Sequence, residues 1–113
     1  MAELDPAILN AGLDLAMEFG PNWMQPIQAR LAARHPRLST EALDAYEAAC
    51  RETMTWAHLR VPEHWNAVGG DEAEAFRRFK VQVLTAYPWI SGKNLKRLWT
   101  QGRYYASKDG LLE

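Results

Sequence analysis

The chain is poor in the residues that most often announce chemistry. Only one cysteine, Cys50, occurs among its 113 residues, which excludes an internal disulfide and fits a reducing compartment. No CxxC or HExxH is present, and His35, His58 and His64 lack a metal-binding spacing, so neither a metal nor a cofactor is expected. Glycine-rich phosphate loops are missing too, since Gly69-Gly70 reads as a turn ahead of a helix cap. No apolar run approaches the roughly 20 residues of a membrane span, and no stretch alternates with period two for long enough to make a strand. The opening segment MAELDPAILNAGLDLAMEFG holds Glu3, Asp5, Asp14 and Glu18 but no Lys or Arg, the wrong charge for a secretory or organelle signal. The expectation is a cytoplasmic protein without catalytic activity.

What is present is helical punctuation. With 48% hydrophobic residues the chain has material for one modest core, so a single all-α domain over residues 1–113 is expected. Asp5-Pro6 has the form of an N-cap followed by proline at the first helical position, and Ile8, Leu15, Ala16 and Phe19 continue with helical spacing. Ser39, Asp71 and Ser91 head three further apolar-periodic segments in the same way. Together these signals predict about five helices, near 6–19, 23–34, 40–59, 72–86 and 92–109. Pro62 is read as closing the third, which leaves PEHWNAVGG as a loop. His58, near that helix end, is expected to serve the terminal carbonyls and the helix dipole.

One internal similarity stands out. A shift of 52 positions lays PRLSTEAL (36–43) on PWISGKNL (88–95), matching proline, a branched apolar residue, serine and leucine. Ile27 and Leu31 then fall on Phe79 and Val83, which suggests two related helical hairpins on one connection plan.

Charge separates the two halves. Residues 1–75 hold five Lys and Arg against twelve Asp and Glu, a balance of −7, and residues 76–113 hold eight against two, a balance of +6. Such asymmetry points to an anionic partner or to pairing between the halves. On a wheel of the last helix, Leu95, Leu98, Trp99, Gly102, Tyr105 and Ala106 share the core side. Lys93, Lys96, Arg97, Arg103 and Lys108 occupy the other, together with Tyr104, and Arg77 and Arg78 on the preceding helix extend the basic surface. As packing alone, this stripe is the solvated face of an amphipathic helix, with Tyr104 resting on alkyl stems. As function, it presents a basic face to a protein partner or to a second copy, for which Glu41, Asp44, Glu47 and Glu52 of the third helix offer complementary charge. The alternative is a nucleic acid or other polyanion held by the hairpin 72–109, its cations on phosphates and Tyr104 on a base.

Other candidates have plainer readings. Cys50 belongs to a core face. Lys80 projects into the apolar stripe of Phe76, Phe79, Val83, Leu84 and Tyr87, where its amine needs water or an acid such as Glu47. Trp23, Trp65 and Trp89 fall at helix starts or in loops and are expected to close the ends of the bundle.

Overall fold

Each of the four side-chain caps read from the sequence forms. Asp5 accepts from the amide of Ala7, Ser39 from Ala42, Asp71 from Glu74 and Ser91 from Asn94, which satisfies amides that have no partner inside the first turn. The computed structural model describes residues 4–112. They form α1 (Pro6–Ala16), a 3₁₀ turn (Gly20–Asn22), α2 (Gln28–Arg34), α3 (Thr40–Ala67), α4 (Glu72–Ala86) and α5 (Gly92–Lys108). No strand occurs among the described residues, and the expected all-α class with five helices is borne out.

Two compact units divide the chain, one ending at Met54 and the other beginning at Thr55, within α3. The first contains α1, α2 and the opening half of α3. Leu9, Leu13, Met17, Ile27, Leu31 and Cys50 are buried in it. Its chain crossings are fastened by polar contacts: Tyr46 Oη accepts from the Asp5 amide at 2.9 Å, and Glu47 Oε2 from the Ile27 amide at 2.9 Å. Glu47 also holds Arg51, whose Nη2 donates on to the Gln25 carbonyl. Gly12 lets α1 approach α3, because a Cβ there would stand 2.7 Å from Cys50 Sγ.

The second unit contains the closing half of α3 with α4 and α5. Val61, Ala75, Phe79, Val83, Leu95, Leu98 and Trp99 are buried. Rings account for much of this core, with Phe79 and Trp99 centroids 5.1 Å apart and Phe76 5.6 Å from Trp99. Gly102 does here what Gly12 does in the first unit, since its Cβ would lie 2.5 Å from Val61 Cγ2.

Several sequence expectations are corrected. Helix α1 stops at Ala16 rather than at residue 19, and Phe19 is 52% exposed, its ring tilted against Trp23, instead of buried. Gly20, at φ 87°, turns the chain into the 3₁₀ segment, a conformation that costs a glycine little. Helix α2 begins at Gln28, not near residue 23, because Pro26 precedes it and the Ile27 amide is used by Glu47. Pro62 does not close α3, and six residues of the expected loop, 62–67, are helical. A proline inside a helix costs about 3 kcal/mol. Full burial of Val61 on one side of it is worth about 1.5–3 kcal/mol. Beyond it, His64 is hydrogen-bonded to Gln82 and Trp65 carries the Arg103 guanidinium, so this turn is held by its surroundings. Gly69 and Gly70, both at positive φ, make the actual stop.

His58 is therefore mid-helix rather than at a helix end, and it is half-buried beside the Tyr105 ring. Burial pushes its pKa down to about 4, with the Gln101 side chain opposing in part. Lys80 is exposed, not inside the apolar stripe. Helix α4 is rotated so that Ala75, Phe79 and Val83 face the core, while Phe76 and Leu84 on the Lys80 side are half-buried.

Candidate basic face on the last helix

Ser91 starts α5, and the helix ends in a glycine stop at Gly110, where φ is 72° and the Leu111 amide reaches back to the Ala106 carbonyl at 2.8 Å. Between them the wheel drawn from the sequence holds at most positions, but Tyr105, read on the core side, is only half-buried, as are Arg97 and Arg103 of the outer side. Leu95, Leu98, Trp99, Gly102 and Ala106 are buried, and Lys93, Lys96, Tyr104 and Lys108 are exposed, Tyr104 by 57%. Asn94 and Gln101 are buried as well, which the wheel did not indicate.

The eight residues read as a surface do not act alike. Arg77 and Arg78 both bind Glu74, one turn back on α4: Arg77 through Nε at 2.9 Å and Nη2 at 2.6 Å, Arg78 through Nε at 2.9 Å. Hydrogen bonds from Arg77, then from Arg78, hold the Glu74 carboxyl down to about 2, and Glu74 in turn raises Arg77. Arg103 is half-buried; it pairs with Glu72 at the start of α4 and lies over the Trp65 ring, 4.6 Å from its centroid. Arg97 is half-buried. The positive charge of the second unit is thus met in part by acids of α4.

Two shallow clefts adjoin the exposed part of α5. One, of about 750 Å³, is lined by Trp65, Thr100, Arg103, Tyr104, Ser107 and Lys108, with Leu112 at its edge. The other, of about 480 Å³, is lined by Lys96, Thr100 and Trp99 of α5 and by Glu72, Ala73 and Phe76 of α4. Each combines an ammonium, a hydroxyl and an aromatic face, the set that receives a carboxylate beside an apolar group. Sequence reading put Trp65 in a loop rather than on α3 under Arg103, and it passed over Glu72. Trp65 lies four residues after Val61, on the same helix face, but that relation exists only if α3 continues through Pro62. Glu74 was legible in principle, three and four residues before Arg77 and Arg78.

Lys93 stands against its helix. The first turn of α5 contains no acid, and Lys93 occupies its second position, where the positive end of the helix dipole disfavours a cation. In the first turn of α3 the residue at that position is Glu41.

The single thiol is used in packing. Cys50 is buried, its Sγ 3.3 Å from the Leu9 carbonyl, and burial pushes the thiol up to about 12. Among the described residues there is no cluster of three or more His, Cys, Asp or Glu able to hold a metal, and no helix long and apolar enough to cross a membrane. Compared with protein-family models, with curated proteins and with solved structures, the chain finds no match.

Proposed function

We propose that the protein is a small helical interaction module without catalytic activity, which offers the exposed face of α5 to an acidic protein surface. The observation that carries this reading is the placement of Lys93 and Lys96. Both are exposed near the N-terminal end of α5, and Lys93, at the second position of a first turn that holds no acid, costs the isolated helix about 0.3–1 kcal/mol there. A charge kept where it opposes the fold is explained by something outside the fold. Tyr104 and the clefts on either side of Thr100 supply apolar contact beside the ammonium groups, and lysines at such a rim chiefly steer encounter. A polyanion such as nucleic acid gains less from this face, because Arg77, Arg78 and Arg103 are engaged by Glu74 and Glu72.

The test is fluorescence anisotropy with a labelled peptide of alternating glutamate and leucine, run beside single- and double-stranded oligonucleotides at low and high salt. Peptide binding that weakens at least tenfold in Lys93→Glu/Lys96→Glu is expected. Oligonucleotide binding tighter than peptide binding, with steep salt dependence, would replace this reading by the nucleic-acid one. No binding of either probe at low salt would overturn it.

A further inference from the structure

The two units follow one plan at an offset of 52 residues. His35 and Tyr87 end α2 and α4; Leu38 and Ile90 donate back to them at 3.2 Å; Ser39 and Ser91 cap the next helices. Leu9 meets Cys50 in the first unit as Val61 meets Gly102 in the second, and both pairs are 52 apart in turn. Arg51 and Arg103 correspond, and each is tied down within its own unit, Arg51 on Glu47 and Arg103 on Glu72. The opening half of α3 is therefore the counterpart of α5.

At two matched positions their outward faces carry opposite charge, and at a third an acid matches a tyrosine. Glu41 stands where Lys93 stands, Asp44 where Lys96 stands, and Glu52 where Tyr104 stands. All six are exposed in the folded chain. Between them α3 has Ala45 and Ala48, small residues that leave room for a bulky neighbour. One surface of one structural plan thus occurs twice, once acidic and once basic.

We infer that the acidic partner of the α5 face is a second copy of this chain, docked through the Glu41, Asp44 and Glu52 face of its α3. This rests on the reading of α5 as a docking face and adds the identity of the partner. Set parallel and in register, the two helices place Lys93 against Glu41 and Lys96 against Asp44. The hydroxyl of Tyr104 donates to the Glu52 carboxylate, with its ring over Ala48. The contact is heterologous, one face of the chain on a different face of its copy, so it either closes into a ring or extends head to tail. Exposed ion pairs of this kind are weak singly and fade within a Debye length, so association is strongest at low salt.

The test is sedimentation velocity on the full chain at about 0.01 M and about 1 M salt. The wild type is expected to associate with rising concentration at low salt and to be monomeric at high salt. Lys93→Glu/Lys96→Glu and Glu41→Lys/Asp44→Lys, each alone, should weaken association at least tenfold with helical circular dichroism unchanged. Mixed one to one they should associate again, because each then supplies the face the other has lost. A wild type that stays monomeric at low salt, face variants that associate like wild type, or a mixture that stays monomeric would each overturn the inference. If such a monomeric chain still binds the acidic peptide through Lys93 and Lys96, self-association alone falls. If it binds no peptide either, the docking face falls with it.

Discussion

His35 and Tyr87, 52 residues apart, end their helices with nearly the same backbone torsions, φ −134° and ψ 73° in one and φ −134° and ψ 74° in the other. In both, the amide donates to the residue four back, Leu31 or Val83, and a proline follows that forbids another helical turn. The serine three residues later is then positioned to cap the next helix. Ser39→Ala and Ser91→Ala should each destabilise by about 1 kcal/mol, the usual worth of such a cap, and the two losses should agree within about 0.5 kcal/mol. Urea unfolding followed by far-ultraviolet circular dichroism measures both. Unequal losses would mean that the shared torsions do not carry shared energetics.

The glycine contacts predict a second pair of effects. An alanine at residue 102 would gain up to about 1 kcal/mol of helix propensity but would set its Cβ 2.5 Å from Val61 Cγ2 and 3.2 Å from Val61 Cβ. Valine is stiff about χ1 and has no remote end to swing away, so overpacking of about 1–3 kcal/mol outweighs the gain. Gly102→Ala should therefore lower stability, and the loss should shrink when it is combined with Val61→Ala. A double-mutant cycle reads the coupling. Additive losses would show that the close approach is not what makes glycine necessary.

The caps were legible because they are local. Asp5, Ser39, Asp71 and Ser91 need only the next few amides, and every one forms. Periodicity likewise exposed Lys93, Lys96, Tyr104 and Lys108 on α5, since a buried stripe fixes where the opposite face must point. What local reading lost was whatever depends on distant residues. The course of α3 through Pro62 is decided by Val61, His64 and Trp65 and their tertiary contacts. Phe19 left the core because α1 ends a turn early, at a boundary set by Gly20 and the 3₁₀ segment. In the site, Lys96 was read correctly as exposed, but Arg103 could not be assigned to Glu72, which is 31 residues away in sequence.

Pro62 gives the third prediction. It withholds a backbone donor from an otherwise continuous helix that extends to Ala67. Pro62→Ala restores an amide that can donate to the carbonyl of residue 58 and removes the ring's clash with it, so stability should rise by about 1–3 kcal/mol. The thermal midpoint should rise accordingly, by several degrees. A fall would mean that a bend at Pro62 is required by the packing around Val61.

His58 makes the protein sensitive to mild acid. Its pKa is lowered from 6.5 to about 4 in the folded state, first by burial, against which the Gln101 side chain acts weakly. Below about pH 6.5 the unfolded chain takes up a proton at His58 that the folded chain refuses until about pH 4. Stability is therefore fully present above the unfolded pKa and is lost as pH falls between those two values. The arithmetic of linkage gives a loss of about 2 kcal/mol between pH 7 and pH 5. The carboxyls of Glu18 and Glu74 are also lowered, Glu18 mainly through Asn22 and Glu74 through Arg77 and Arg78, so their contributions remain until the pH is lower still. Unfolding free energies from urea titrations should fall by this amount from pH 7 to pH 5 in the wild type and stay nearly level in His58→Gln, which keeps a polar side chain of similar size but cannot charge. A variant that loses as much stability as the wild type over this interval would remove His58 as the origin of the effect.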